Sequence, residues 1–243
     1  MLRFLIAIIF VVLYLIISLP IMLVLWIVRF FTPKATYAMQ RIVQWAFSVV
    51  WHIAGVKLEV RGEDRLPADG AVLFVGNHRS FFDVIIGYSL LKRRTIIVSK
   101  DSFKKVPLLN LNMMFIGVRF IDRKNLRKGV ETIKECGEVA KTGISVLVFP
   151  EGTRNRGDAL KLLPMHDGSF MIAQRSGCPV VPMAFTGTAE IFEKHSPWLK
   201  AGKVIVEFGE PQTIAELPKE YKKHPGNYFA EKITGMLEEH VKG

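Results

Sequence analysis

The segment AVLFVGNHRSFFD, residues 71–83, carries the strongest indication of the fold. Its first five residues are apolar and predict a buried strand, and a turn at Gly76 then leads to a helix beginning near Ser80. On one continuous helix, the side chains of His78 and Asp83 would point about 140° apart. Because the chain bends between them, the two side chains can converge. Strand-to-helix corners of this kind are where ligands bind in open α/β sheets.

The pairing of His78 with Asp83 has two interpretations. In a catalytic pair, the carboxylate would hold the imidazole in one tautomer and stabilise its charged form, leaving the other ring nitrogen to take a proton. However, Ser80 and Asp83 also fit a capping box, in which Asp83 serves the helix terminus. The sequence contains no GxSxG elbow, Walker loop or metal-type His/Cys cluster. A His–Asp pair without an evident protein nucleophile favours a substrate that brings its own hydroxyl, since Ser80 is better explained as an N-cap.

The rest of the chain alternates between predicted strands and helices. Further strands are predicted at 56–60, 95–99, 117–121, 144–149, 179–185 and 203–208, and helices at 83–92, 126–141, 169–176 and 228–240. This alternation predicts an α/β fold with a mostly parallel or mixed sheet flanked by helices. The predicted organisation is an N-terminal helical module, residues 1–55, followed by an α/β domain, residues 56–243.

Basic residues follow several predicted strands. The loop PEGTRNR, residues 150–156, places Gly152, Arg154 and Arg156 directly after a buried strand. Glycine lets backbone N–H groups approach an anion, and guanidinium groups match phosphate oxygens two at a time. Lys100 and Arg123 follow two other strands. Together these residues predict one crevice that receives a phosphate-bearing substrate.

The N-terminus predicts attachment to a membrane. Residues 4–28 are uncharged and mostly apolar, and as a helix they would reach roughly 37 Å, more than the hydrocarbon core of a bilayer. The run is too long for a signal peptide, and no small-x-small cleavage site follows it. Pro20 interrupts the run and can kink it, so two arrangements remain open: one tilted helix that spans the bilayer, or a bent hairpin that enters a single leaflet. If the run spans, the cations that follow it place the remaining chain in the cytoplasm.

The next helix, within residues 37–55, is apolar apart from a stripe of polar residues spaced four apart. The stripe consists of Gln40, Gln44, Ser48 and His52. Such a helix could lie at the membrane surface, with its tryptophans at headgroup level. It could equally pack on the α/β domain as a core helix.

Composition sets broad limits on the partners. The 243 residues carry 33 Lys and Arg against 22 Asp and Glu, a formal charge of +11. This excess is typical of proteins that bind nucleic acid, anionic lipid or acidic partners. Cys136 and Cys178 have no paired or metal-type spacing and are interpreted as small apolar residues in a reducing compartment.

Four blocks of residues identify a family resemblance. They are NHRSFFD (77–83), GVRFIDR (117–123), FPEGTR (149–154) and VPMAFTG (181–187). In this order and spacing they resemble the glycerolipid acyltransferases, most closely the bacterial 1-acyl-sn-glycerol-3-phosphate acyltransferases, over about residues 56–215. One departure is MHDGS, residues 165–169, where the family commonly has a lysine before the glycine; His166 and Asp167 weaken any claim of a basic contact there.

The resemblance implies a role for each matching residue. His78 would be the general base and Asp83 its orienting partner. The implied substrate-binding residues are Lys100, Arg123, Glu151, Gly152, Thr153, Arg154 and Arg156, of which Arg154 and Lys100 would bind the acceptor's phosphate. Glu151 would contribute to acceptor binding or to site architecture, and Pro182 would help to shape the acyl site. Backbone N–H groups near Gly152 would stabilise an oxyanion.

The implied reaction transfers an acyl group to the free hydroxyl of lysophosphatidic acid, giving phosphatidic acid. The donor would be acyl-CoA or acyl-carrier protein, acting as a substrate, with no cofactor and no metal. Membrane lipids are the expected partners, nucleic acid is not, and the expected location is the cell membrane with the catalytic domain on its cytoplasmic face. Three alternatives remain open: another acceptor such as glycerol 3-phosphate or a different lysophospholipid, a hydrolase, and a non-enzymatic protein that binds anionic lipid.

Overall fold

The fold, given by a computed structural model that describes residues 1–242, is one mixed sheet with helices on both faces. The helices are α1 (Leu2–Val28), α2 (Lys34–Ala54), α3 (Phe81–Leu90), α4 (Leu109–Phe115), α5 (Leu126–Lys141), α6 (Met171–Ser176), α7 (Thr188–Ile191) and α8 (Pro225–Lys242). The strands are β1 (Val56–Arg61), β2 (Leu73–Gly76), β3 (Thr95–Lys100), β4 (Arg119–Ile121), β5 (Ser145–Val148), β6 (Val180–Thr186) and β7 (Gly202–Phe208). The predicted fold class and all seven predicted strands are confirmed.

The sheet order is β1-β7-β6-β2-β5-β3-β4. All neighbouring strands are parallel except β6 and β7, which are antiparallel. Because β2, β5, β3 and β4 are adjacent and parallel, their carboxyl ends meet at one edge of the sheet. The segments that follow these four strands contain the residues predicted to form the site.

The strands read as continuous apolar runs because both faces of the sheet are covered. In β2, Phe74 contributes to the core shared with α2 and α3, whereas Leu73 and Val75 contribute to the core shared with α5, α6 and α8. Both cysteines are buried and free, which confirms their interpretation as packing residues. The sequence did not predict α4 and α7, because segments of seven and four residues are too short to show a helical period.

The apolar N-terminal run forms a single helix. Pro20 lies inside α1, and the chain reverses only at residues 29–33, so the run does not fold back at Pro20. Within residues 1–242, α1 is the one helix long and apolar enough to cross a membrane, and only 11% of its most apolar stretch is buried. Whether it spans the bilayer or lies in one leaflet stays a prediction.

The first two residues of the polar stripe of α2, Gln40 and Gln44, face the α/β core, whereas His52 is exposed. The Gln40 amide donates to the Arg93 carbonyl at 2.8 Å and accepts from the Thr95 amide at 2.8 Å. The Gln44 amide donates to the carbonyls of Tyr88 and Leu91, at 2.8 and 2.7 Å, at the end of α3. Both glutamines are buried, so α2 packs on the α/β core, while Trp45 is exposed and contact of α2 with the membrane surface stays a prediction. The division of the chain after residue 55 stays a prediction.

Candidate active site

The His78 side chain is held by Asp83 at the corner between β2 and α3. Its Nδ1 donates to Asp83 Oδ2 at 3.0 Å, since an ionised carboxylate can only accept. The imidazole is 15% exposed and lies against the Phe149 ring, with the ring centroids 4.6 Å apart. Within residues 1–242, Nε2 has no hydrogen-bond partner, and His78 lines a large cavity. This geometry leaves Nε2 available to take a proton from a ligand.

Asp83 fulfils both of the roles that the sequence left open. Its Oδ2 accepts from the Arg79 and Ser80 amides at 2.6 and 2.7 Å as well as from His78. The Ser80 hydroxyl accepts from the Phe82 amide at 2.9 Å, which completes a capping box. The helix terminus therefore fixes the carboxylate that orients the imidazole.

Glu151 joins the β5 corner to the β2 corner. Its Oε1 accepts from the His78 amide at 2.6 Å, and its Oε2 accepts from the Leu163 amide at 2.9 Å. Burial raises the pKa of Glu151, while the two amide hydrogen bonds oppose that rise. Glu151 is buried behind the cavity rather than in its lining, so its contacts fit site architecture better than acceptor binding.

Arg154 lies between an aromatic ring and a carboxylate. Its guanidinium carbon is 3.9 Å from the centre of the Phe81 ring, and its Nη1 donates to Glu193 Oε1 at 3.0 Å. The same Glu193 oxygen accepts from the Phe81 amide at 2.9 Å. These contacts fix one edge of the guanidinium and leave other N–H groups for a ligand.

One cavity of about 850 Å³ brings the predicted residues together. It opens beside four strand ends, and its polar lining includes His78, Lys100, Arg123, Gly152, Thr153 and Arg154. Its apolar lining includes Phe10, Val11, Tyr14 and Leu15 of α1 and Val43, Ala46, Phe47 and Val50 of α2. The cavity can therefore hold a molecule with an anionic group at one side and an alkyl chain at another.

The residues of the 150–156 loop differ in their access to the cavity. Arg156 is exposed and lies outside the cavity lining, because the chain turns away after Asn155, whose amide donates to the His78 carbonyl at 2.7 Å. The Gly152 N–H donates to the Phe149 carbonyl at 3.0 Å and is thus occupied. Among residues 1–242, the Thr153 N–H has no such partner and is the better candidate for an oxyanion contact.

The MHDGS segment, residues 165–169, lines the cavity but has no lysine before its glycine. The His166 ring lies against Gly152, where an added Cβ would come within 3.1 Å of it. Asp167 instead accepts from the Gly226 amide at 2.9 Å and from His224 at 2.8 Å, so it ties this segment to the start of α8.

The VPMAFTG block supports the site from behind. Pro182 is buried in β6 and is absent from the cavity lining. It therefore makes no direct contact with the cavity that would support its implied role in shaping an acyl site. Asn77 joins the two blocks, donating to the Phe185 carbonyl at 3.0 Å and accepting from its amide at 2.8 Å.

Two residues of the site, Phe81 and Glu193, were not predicted from the sequence. Phe81 lies within the quoted NHRSFFD block, but an aromatic residue at a helix start gives no sign that it will stack on an arginine. Glu193 lies 39 residues after Arg154, in a segment without any recognised motif. Only the folded chain brings Glu193 to the β5 corner.

Comparison with known proteins identifies the family of the chain and agrees with its fold. The acyltransferase family model matches residues 57–186. The 1-acyl-sn-glycerol-3-phosphate acyltransferase of Escherichia coli is 30% identical over 190 residues, 76% of each chain. The chloroplastic 1-acyl-sn-glycerol-3-phosphate acyltransferase BAT2 of Brassica napus is 36% identical over 165 residues, 67% of this chain, but the match spans only 45% of that longer protein.

A solved structure has the same fold over the whole chain. The crystal structure of the 1-acyl-sn-glycerophosphate acyltransferase PlsC from Thermotoga maritima superposes with a TM-score of 0.84, covering 99% of this chain and 95% of that chain, at 23% identity. Fold and site thus define an α/β protein with a His–Asp pair beside a corner lined by cationic side chains. The chain belongs to the acyltransferase family.

Proposed function

We propose that the protein transfers an acyl group from an acyl thioester to the free hydroxyl of lysophosphatidic acid, giving phosphatidic acid. The observation that carries this proposal is that His78, oriented by Asp83, lines the same cavity as Arg154, Lys100 and Arg123. The names of the relatives, which are 1-acyl-sn-glycerol-3-phosphate acyltransferases, support this choice of acceptor.

The proposed reaction needs no nucleophile from the protein. Nε2 of His78 takes the proton of the acceptor hydroxyl as its oxygen attacks the thioester carbonyl carbon. The resulting tetrahedral intermediate expels the thiolate, the C–S bond breaks, and the proton returns from Nε2 to the sulfur. Asp83 stabilises the imidazolium that exists between these steps, and proton transfer of this kind contributes about 10²–10⁴-fold in rate.

The cations of the cavity serve the acceptor's phosphate in this scheme. Arg154 is held by Phe81 and Glu193, so it can present free N–H groups without first losing rotamer freedom. Lys100 and Arg123 supply further charge from the ends of β3 and β4. Holding acceptor and donor in reactive geometry is the larger contribution, about 7–11 kcal/mol of the barrier.

The apolar lining serves the alkyl chains. Side chains of α1 and α2 form much of it, so the helix suited to a membrane also forms a wall of the site. A lysophospholipid can therefore reach His78 without full transfer into water. The donor thioester is carried by coenzyme A or by acyl-carrier protein. The cytoplasmic face is the proposed side because the cations that follow α1 favour it by the positive-inside bias.

A thiol-release assay on the purified protein tests the proposal. The acceptor panel contains lysophosphatidic acid, glycerol 3-phosphate, a lysophospholipid with another headgroup, and a monoacylglycerol that lacks phosphate. We expect the fastest release with lysophosphatidic acid, with phosphatidic acid formed in equal amount. Faster release with another acceptor would reassign the substrate, and release independent of any acceptor would identify a hydrolase. Lipid binding without release would favour the non-enzymatic alternative, which family membership already disfavours.

A further inference from the structure

The corner between the end of α1 and helix α4 exposes apolar side chains that the active site does not use. Phe30 and Phe31 are 69% and 86% exposed, and on α4 Leu111 and Met114 are 41% and 59% exposed. We call these four residues, together with Arg29 and Arg94, the α1–α4 corner. Clustered exposed apolar groups of this size mark a surface that binds a partner or a membrane.

The packing of α4 on α1 makes this surface continuous with α1. The Ser18 hydroxyl donates to the Asn112 side chain at 3.0 Å in a buried contact. Near the end of α1, the rings of Trp26 and Phe115 lie 6.5 Å apart. Asn112 faces α1, while Leu111 and Met114 point outward from the same short helix. Any bilayer that covers the exposed side of α1 thus adjoins α4.

Two arginines at this corner have no acidic partner. The Arg29 guanidinium carbon lies 4.5 Å from the centre of the Trp26 ring, and Arg94 Nη2 reaches the Ile116 carbonyl at the end of α4 at 3.5 Å. Within residues 1–242, neither arginine has a carboxylate at ion-pair distance, and Arg94 Nε is buried without a partner.

The electrostatics of Arg94 favour an anion at the same place. Burial lowers the pKa of Arg94, and the positive charge of Arg29 contributes to lowering it. The C-terminal dipole of α1 accounts for a cation at Arg29. It accounts neither for the unpaired Nε of Arg94 nor for the four exposed apolar side chains beside it.

We propose that the α1–α4 corner is a docking surface for a bilayer that contains anionic phospholipid. Phe30, Phe31, Leu111 and Met114 enter the interface, and Arg29 and Arg94 bind the headgroup phosphate. The surface is separate from the His78 cavity and depends on continuity with α1 and on charge complementarity. It would fix how the protein is tilted on the membrane, which α1 alone leaves free.

A fluorescent probe on the full-length protein tests this docking. An environment-sensitive thiol probe is attached at Met114→Cys, and a control probe at Glu238→Cys, on α8 across the sheet. The native thiols do not compete, because both are buried and burial raises the pKa of Cys136 to about 12. With vesicles that contain anionic phospholipid, we expect a blue shift and quenching by nitroxide-labelled lipid at position 114 and neither at position 238.

Arginine variants test the anion contact. In the Met114→Cys background, Arg29→Gln and Arg94→Gln should each weaken docking about fivefold, as expected for one cation near an anionic surface. The matched control, Lys222→Gln with Lys223→Gln, removes two exposed charges near α8 and should leave docking unchanged. If Arg94→Gln fails to fold, Arg29→Gln alone carries the test.

Three outcomes would overturn the proposal. A probe at position 114 that stays open to a water-soluble quencher, while a probe at Ile17→Cys is quenched by lipid, would confine membrane contact to α1. Equal docking to zwitterionic and anionic vesicles would show that the arginines do not contribute to membrane binding. A blue shift without vesicles that grows with protein concentration would instead identify an interface between copies of the chain. None of these outcomes affects thiol release, so the proposed function stands or fails separately.

Discussion

The cavity has two walls that are built by different means. The polar wall, formed by His78, Lys100, Arg123, Gly152, Thr153 and Arg154, comes from the carboxyl ends of adjacent parallel strands and the loops that follow them. The apolar wall, formed by the α1 and α2 residues that line the cavity, comes from helices that precede the sheet in sequence. In the polar wall, His78 and Arg154 are held by hydrogen bonds to defined atoms, whereas the apolar wall is held by packing.

We therefore expect the polar wall to determine the rate of reaction and the use of the headgroup, and the apolar wall to determine which alkyl chain is preferred. Moving a hydrogen-bonded group by an ångström removes a proton acceptor or a phosphate ligand, so changes in the polar wall should alter rate or headgroup use. Changes in the apolar wall alter only the space for an alkyl chain, and should alter which thioester or lysophospholipid chain is preferred. The following variants test this separation.

Among the variants that compare the two walls, the largest effect is expected from Asp83→Asn. The amide oxygen can still accept from the Arg79 and Ser80 amides, but it lacks the negative charge that stabilises protonated His78. We expect kcat to fall by about 10²–10⁴-fold with little change in acceptor KM. Steady-state thiol release, with thermal unfolding measured in parallel, checks the prediction.

Ser80→Ala is the matched control, because it removes the helix N-cap and leaves the carboxylate in place. It should lower the free energy of unfolding by about 1 kcal/mol and leave turnover close to that of the wild type. If both variants lost activity only in proportion to lost folded protein, Asp83 would be a helix cap and nothing more.

A smaller effect is expected from Arg154→Ala. Loss of charge-assisted hydrogen bonds to the acceptor phosphate should lower kcat/KM for lysophosphatidic acid by about 10–150-fold, mostly through KM. The phosphate-free monoacylglycerol should be used equally by variant and wild type. Arg156→Ala, two residues away and outside the cavity, is the control and should behave as the wild type. Equal losses in both variants would point to a diffuse basic loop instead of one phosphate ligand.

The smallest effect is expected from Ala46→Phe in the apolar wall. Ala46 is buried and lines the cavity, so a larger side chain should shorten the space for an alkyl chain. We expect the ratio of kcat/KM for long over short acyl chains to fall by about tenfold, whereas phosphate recognition is retained. Val49→Phe, on the same helix but outside the lining, should leave the ratio unchanged. A rate loss that is the same for every chain length would contradict the separation of the two walls.

The same difference explains what the sequence could predict. His78, Asp83, Gly152 and Arg154 lie directly after apolar runs, and a strand-to-helix corner leaves a short, local pattern. The seven strands were predictable for a similar reason, because both faces of the sheet are buried and each strand reads as an apolar run.

Other features depend on contacts between distant segments and leave no local pattern. Glu193 reaches Arg154 across 39 positions, and the glutamines of α2 reach carbonyls about 50 positions away. The stripe that includes Gln40 and Gln44 was compatible with a helix at the membrane surface as well as with a core helix, since buried backbone groups that need partners can also accept polar side chains. Arg156 was predicted to bind substrate from its charge, but the direction of a loop after a buried asparagine cannot be read from residue types.

The most direct test of the proposed mechanism measures thiol release during the first turnover, with and without acceptor. In the proposed mechanism, the acceptor hydroxyl, activated by His78, attacks the thioester without an acyl-enzyme intermediate. Wild-type protein mixed with excess acyl thioester should release no thiol until lysophosphatidic acid is added. The His78→Ala variant should release no thiol in either condition. The control His52→Ala, which changes an exposed histidine, should match the wild type. A burst of thiol equal to the enzyme concentration without acceptor, or full acceptor-dependent release by His78→Ala, would contradict this mechanism.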